Sequence, residues 1–182
     1  MQRQIVTVEQ FSKEHAAELQ MRLLAGERGL KRIIREATVN RPGLVLSGFT
    51  HYFAYKRVQV FGNAEVYYLR SLTSAERSKR YAHFFAFKIP CIVFSRSFRP
   101  DKEFMADAEK AGVPVFQCPT ITMKFINAAT LALETMFAPR GSEMGSMVDI
   151  LGVGGANSRG ERHRQKRGGA GAHRTRLQPG LR

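Results

Sequence analysis

The segment Ile89-Pro90-Cys91-Ile92-Val93-Phe94 is almost continuously apolar. A strand with one wet face alternates polar and apolar residues. A strand without alternation is covered on both faces, as in sheets whose parallel strands are joined by helices. Val58-Gln59-Val60, closed by Gly62-Asn63, and Val113-Pro114-Val115-Phe116 read as further strands. Helical patterns lie between and after them. Ser74 caps a helix over 74–87, Asp101 opens one over 101–111 that stops at Gly112, and a third covers 120–137. In the third, Met123, Ile126, Leu131, Leu133 and Met136 supply the apolar content. Toward the N-terminus, Ile5 to Val8 is β-rich. Ser12 caps a helix over 13–24 that Gly26 ends, Leu30 to Ile34 reads as a short strand, and Asn40-Arg41-Pro42-Gly43 is a turn signal. Alternating β and α elements predict an α/β domain over residues 1–137, with a mostly parallel sheet and flanking helices.

The texture then changes. Ala138-Pro139-Arg140 is a break, and Gly141 to Ser146 is small and polar. Met147 to Gly154 looks like a strand entering a glycine turn, so 138–154 reads as a linker and the first strand region of a second domain. There the apolar pattern stops. Residues 1–150 hold 21 Lys/Arg against 14 Asp/Glu, whereas 151–182 hold eight against one, Glu161. Half of the net charge of +14 therefore sits in the last 32 residues, which contain no Phe, Tyr, Ile or Met. Such a segment cannot bury enough apolar surface to offset its ordering entropy, so 155–182 is expected to be disordered.

Several function classes fall away. No stretch approaches the ~18 apolar residues of a membrane span. The N-terminus lacks the apolar middle of a signal peptide, and the expected location is the cytoplasm. Cys91 and Cys118 form no CxxC, which speaks against a disulfide framework or a zinc site, so both read as core thiols. His15, His51 and His83 are scattered singly, as surface or packing residues are. Tyr52, Phe53, Tyr55, Phe61, Tyr67 and Tyr68 suggest an aromatic cluster, used for packing more than for binding. Arg77, Lys79 and Arg80 read as the solvated face of a helix. In the tail, Arg162, Arg164, Lys166, Arg167, Arg174 and Arg176 could contact nucleic-acid phosphates. Without aromatics to stack on bases, such binding is nonspecific.

An ordered set of segments resembles the bacterial HPr kinase/phosphorylase family. It comprises Arg41-Pro42-Gly43-Leu44-Val45-Leu46-Ser47-Gly48-Phe49 with Tyr52-Phe53, then Arg57 to Gly62, Glu65, and Tyr68-Leu69. Pro90-Cys91-Ile92-Val93 and Gly145 to Gly154 complete it. The resemblance implies an N-terminal domain like the first domain of Mur ligases, followed by a P-loop kinase domain. It implies phosphorylation of a serine on the phosphocarrier HPr with ATP or pyrophosphate and Mg²⁺, and removal of that phosphate by phosphorolysis. It further implies hexamers formed through the kinase domain and, as output, control of carbon metabolism. Gly141-Ser142 and Gly145-Ser146 flank Met144, where many members have a His associated with phosphate. Met is neither a general base nor a charged ligand.

The family's phosphate cradle is GxxxxGK[ST], whose backbone N–H groups and Lys hold the phosphates while its Ser/Thr binds Mg²⁺. The 182 residues contain no such motif; after Gly154 the chain reads Gly155-Ala156-Asn157-Ser158-Arg159. Out-of-frame translation of GC-rich DNA gives tails of this composition. Back-translated and read one nucleotide later, residues 159–168 permit Gly-Glu-Ser-Gly-Ile-Gly-Lys-Ser-Glu, a complete P-loop. The permitted sets at His163 to Lys166 are narrow. The expectation is a frame disruption near codons 154–155, leaving a truncated start of the kinase domain. No intact catalytic, cofactor-binding or metal site is then expected, nor a bound cofactor, and the hexamer is expected to be lost. A stand-alone regulatory or interaction domain is the alternative from another class.

Overall fold

The computed structural model describes residues 5–139, 146–150 and 153–157. The chain divides into two compact units, residues 1–140 and 141–182. The first contains β1 (Val6–Thr7), α1 (Val8–His15), β2 (Arg22–Ala25), a 3-10 turn (Glu27–Gly29), β3 (Ile33–Ile34) and β4 (Val39–Asn40). It continues through α2 (Gly43–Ser47), β5 (Val58–Phe61), α3 (Asn63–Ser71) and α4 (Ser74–Phe85). It ends with β6 (Ile92–Phe94), α5 (Lys102–Ala111), β7 (Val115–Gln117) and α6 (Thr122–Phe137). The main sheet has the order β2-β7-β6-β5-β4, while β1 and β3 form a separate antiparallel pair.

Strands β4 to β7 are mutually parallel, and β2 joins β7 antiparallel at the edge. The sheet is therefore mixed but mostly parallel, as the apolar run at β6 implied. Period-two alternation sends each strand's residues to two separate cores. Val58, Val60, Val93 and Phe116 pack with Phe11 of α1 and with Phe125, Ala129 and Leu133 of α6. Phe61, Ile92, Phe94 and Val115 pack on the other face, against α2 to α5. Each step from β4 to β7 moves one strand in the same direction. A right-handed crossover then leaves every connecting helix on one face, which is where α2 to α5 lie. Phe61 is the hub of the second core: its ring stacks on Phe94 at 4.7 Å and meets Phe84 and Phe104 edge-on at 5.6 and 5.5 Å. Offset and edge-to-face pairs of this kind add about 0.5–1.5 kcal/mol each beyond area burial.

Several sequence expectations are corrected. No helix covers 13–24. Its first turn lies earlier, in α1, because Thr7 accepts from the Gln10 N–H while the Gln10 side chain accepts from the Thr7 N–H. That reciprocal capping box outcompetes Ser12, whose hydroxyl bonds back to the Glu9 carbonyl inside the helix. Leu23 and Leu24 belong to β2, drawn into the sheet by pairing with β7 across more than ninety residues. The cap of α4 is Thr73, not Ser74. Asn63 to Ser71, unassigned in the sequence, is helical. In α6, Met123 and Leu131 face solvent, and Phe125, Ala129 and Ala132 take the buried stripe with Leu133 and Met136. In the second unit, β8 (Ser146–Ile150) pairs antiparallel with β9 (Val153–Asn157), so residues 155–157 are strand rather than disordered tail. Residues 158–182 lie outside the described residues.

Candidate functional site

In open α/β sheets, ligands settle outside the carboxyl ends of the strands, where neighbouring connections leave for opposite faces. That place is the gap between β6 and β7, because α5 packs in one core and α6 in the other. Here the gap is zipped shut. The Arg96 N–H donates to the Thr120 carbonyl at 2.9 Å and the Ser97 N–H to the Cys118 carbonyl at 2.8 Å. Arg96 and Ser97 adopt φ of 57° and 56°. Non-glycine residues in that region cost of order 1–3 kcal/mol each, so the bonds between the loops hold a strained pair in place. The Gln117 amide donates to the Ser97 and Phe98 carbonyls, fastening the same loop again. Beneath it, buried Ser95 bonds the Phe61 carbonyl and the Thr122 hydroxyl, at 2.9 and 2.8 Å.

The neighbouring helix N-termini are filled from within. Buried Glu65 accepts from the Gly62 N–H at 2.9 Å and from the Arg41 guanidinium at 2.8 Å, placing a carboxylate at the start of α3. Thr73 and Glu76 close α4, and Asp101 caps α5 by accepting from the Phe104 N–H at 2.8 Å. A phosphate at any of these three positions would meet a side chain already serving the free N–H groups, and at each of them a carboxylate stands close by. None of these three helix starts offers free N–H groups to a phosphate. No group of three or more His, Cys, Asp and Glu among the described residues could hold a metal ion.

Beside the closed gap lies an open cavity of about 190 Å³. It is walled by the end of α3, the starts of α4 and α5, and the loop after β6. Its cationic lining is Arg70, Arg77 and Arg99. Arg77 corrects the expectation of a solvated helix face. One turn before buried Tyr81 on the inner side of α4, it has its Nε enclosed, whereas Lys79 is exposed. Burial, and next the Asp101 carboxylate, push the Tyr81 hydroxyl well above its usual range, so it donates to Asp101 Oδ2 at 2.8 Å. A second, larger and more open groove, of about 600 Å³, at the amino edge of the sheet contains Lys31, Arg32, Lys56 and Lys88. Arg32 is structural there, donating to the carbonyls of Ile89, Ala111 and Gly112.

The other sequence candidates are dispersed. His15 sits 3.4 Å from Glu18, His51 lies near Phe49, and His83 stacks on Phe87. Burial pushes the thiols of Cys91 and Cys118 up to about 12 and about 11, as fits core residues. The supposed aromatic cluster divides. Phe61 is core, Phe53 and Tyr55 pack near Phe87, Tyr68 is half-buried, and Tyr52 and Tyr67 are exposed. Met144, the Gly141-Ser142 stretch, Gly145 and the tail cations from Arg162 to Arg176 lie outside the described residues. Sequence reasoning missed Glu65's partnership with Arg41 and the convergence of Arg70, Arg77 and Arg99. Both are made by long-range folding, although Arg41 and Glu65 stood in the segments that carried the resemblance.

Fold and site together define a three-layer α/β domain. Residues 6–133 match the family model described as HPr Serine kinase N terminus. Among similar proteins, an HPr kinase/phosphorylase of Chloroherpeton thalassium is 41% identical over 124 residues, covering 68% of this chain and 36% of that protein. One from Leptospira biflexa is 35% identical over 149 residues, covering 82% and 46%. Another, from Chlorobium phaeobacteroides, is 37% identical over 158 residues, covering 85% and 48%. The chain belongs to the HPr kinase/phosphorylase family, and it spans less than half the length of these relatives. A solved structure of the CBS and DRTGG domains of a Clostridium perfringens pyrophosphatase aligns with a TM-score of 0.49 at 11% identity. It covers 72% of this chain and 53% of that one, a likeness too slight to bear on the fold. Among the described residues, no helix is long and apolar enough to cross a membrane.

Proposed function

We propose that this chain is the N-terminal domain and the interrupted start of the kinase domain of an HPr serine kinase/phosphorylase. The family match over residues 6–133 is the observation that carries the reading. The gene's product then acts on HPr, with ATP or pyrophosphate and Mg²⁺ handled by the part absent here. The 182 residues as written transfer no phosphate: they contain no GxxxxGK[ST], and phosphoryl transfer depends almost wholly on positioning the phosphates. Met144 stands where many members have a His, so phosphate handling in this subgroup rests on other groups. The hexamer, built through the kinase domain in the family, is lost with it.

The test is ATP-dependent phosphorylation of purified HPr. The chain as written is expected to give none, and a version whose reading frame is restored by one nucleotide after codon 154 is expected to phosphorylate HPr. Activity from the unrepaired chain overturns the inactivity, and failure of every one-base repair to restore the loop overturns the frame disruption. One observation favours a regulatory reading of residues 5–139 taken alone. They form two complete cores with a sealed carboxyl edge, as an independently folding domain does.

A further inference from the structure

We propose that the cavity between α3, α4 and the loop after β6 binds a small organic anion, a compact apolar body bearing one carboxylate or phosphate monoester. Three guanidinium groups converge on about 190 Å³, and the lining offers one acid, Asp101. Both carboxylate oxygens of Asp101 are committed, Oδ1 to the Phe104 N–H and Oδ2 to the Tyr81 hydroxyl. Arg77 Nε is buried without a hydrogen-bond partner, and the nearest acid oxygen, Asp101 Oδ2, stands 3.7 Å away. An unsatisfied buried donor is costly, and a charged one more so. Asp101 is the ion-pair partner of Arg77, which leaves exposed Arg70 and Arg99 as the cations an oxyanion in the cavity would meet and whose charge it would offset.

The site is partly organised in advance. The Arg70 guanidinium rests over the rings of Tyr67 and Phe98, at 5.8 and 5.7 Å from their centroids. A stacked guanidinium keeps its in-plane N–H groups free for a bidentate contact. Among the described residues, Arg99 enters no ion pair. Val66, Leu69, Phe94 and Phe104 also line the cavity, which calls for a carbon body rather than a bare ion. The volume lies below the roughly 300–1,000 Å³ of sites for drug-sized ligands, which favours a small body.

Titration of the full 182-residue chain with phenyl phosphate, benzoate, inorganic phosphate and phenol, followed by NMR of the arginine Nε–H signals, tests the site. Saturable binding of phenyl phosphate or benzoate that moves the Arg70 signal is expected, and the tighter of the two identifies the oxyanion. Arg99→Ala, at an exposed side chain, is expected to weaken binding about tenfold, the worth of one charged hydrogen bond, with an unchanged melting temperature. Arg70→Lys keeps the charge but loses the planar fork, and is expected to weaken binding similarly. No saturable shift with either organic anion overturns the proposal. So does binding of phenol or inorganic phosphate as tight as that of the anions, or affinity indifferent to Arg99→Ala.

Discussion

Glu65 is buried, yet it answers two donors, the Gly62 N–H and the Arg41 guanidinium. Removing Glu65 leaves the buried Gly62 N–H without its acceptor, while the partly exposed Arg41 can turn to water. Glu65→Ala is therefore expected to destabilise the domain by about 1–3 kcal/mol, mostly through the orphaned Gly62 N–H, read from urea unfolding, whereas Lys79→Ala on the exposed side of α4 stays within about 0.5 kcal/mol. The two thiols give a second residue-level expectation. Both have folded-state pKa values raised by burial from near 9, to about 12 and about 11. Above pH 9 the unfolded chain loses protons that the folded chain keeps. Stability is fully present below pH 9 and falls as pH rises toward 11, with a slope approaching 1.4 kcal/mol per pH unit for each thiol. Denaturant melts at pH 8, 9 and 10.5 measure it; a flat profile would contradict the assignment. The same burial predicts no alkylation of Cys91 or Cys118 at pH 8 until the chain unfolds. Their roles could be read from sequence, because an isolated cysteine in an apolar run is a core residue. Glu65 could not, because its partner lies 24 positions away and on another element.

Elements whose ends are marked by local chemistry are legible in the chain. α5 opens on Asp101 and closes on Gly112 in the left-handed region, within one residue of expectation. The stretch from Thr7 to Ala25 is not, because two local signals compete there. Leu19, Leu23 and Leu24 have near-helical spacing, but pairing with β7 carries more free energy than spacing does. Close approaches also fix two glycines. Gly26 has φ of +77°, and a Cβ there would stand 2.1 Å from the Val113 carbonyl oxygen. Gly26→Ala combines backbone strain with a clash against rigid backbone and is expected to cost more than about 3 kcal/mol, visible as a large loss of melting temperature. At Gly62 the obstacle is a side chain, with Thr122 Oγ1 at 2.5 Å from a built Cβ. Gly62→Ala is expected to cost about 1–3 kcal/mol, and Thr122→Ala in the same chain to recover part of it. Full additivity of the two losses would show that the contact is not the cause.

Both cores are built from residues 6–136, so the molecule as a whole is expected to tolerate loss of residues 141–182. A chain ending at residue 140 should melt within about 2 °C of the full one, because neither core loses a residue. A larger drop in calorimetry would mean that later residues support the domain. The three-layer arrangement was legible at this scale from the β6 run alone, because a strand apolar on both faces demands cover on both. The closed gap and the arginine cavity were not. They depend on two strained residues, Arg96 and Ser97, and on three arginines drawn from separate elements. The pairing of β2 with β7 has a temporal consequence. Arg22 meets Gln117, and the first core closes on α6, the last helix of the domain. During synthesis, α1 and β2 therefore wait, exposed, for almost the whole domain to emerge. Loop closure over that distance is slow, so the nascent N-terminal quarter is the part most in need of shielding from other chains.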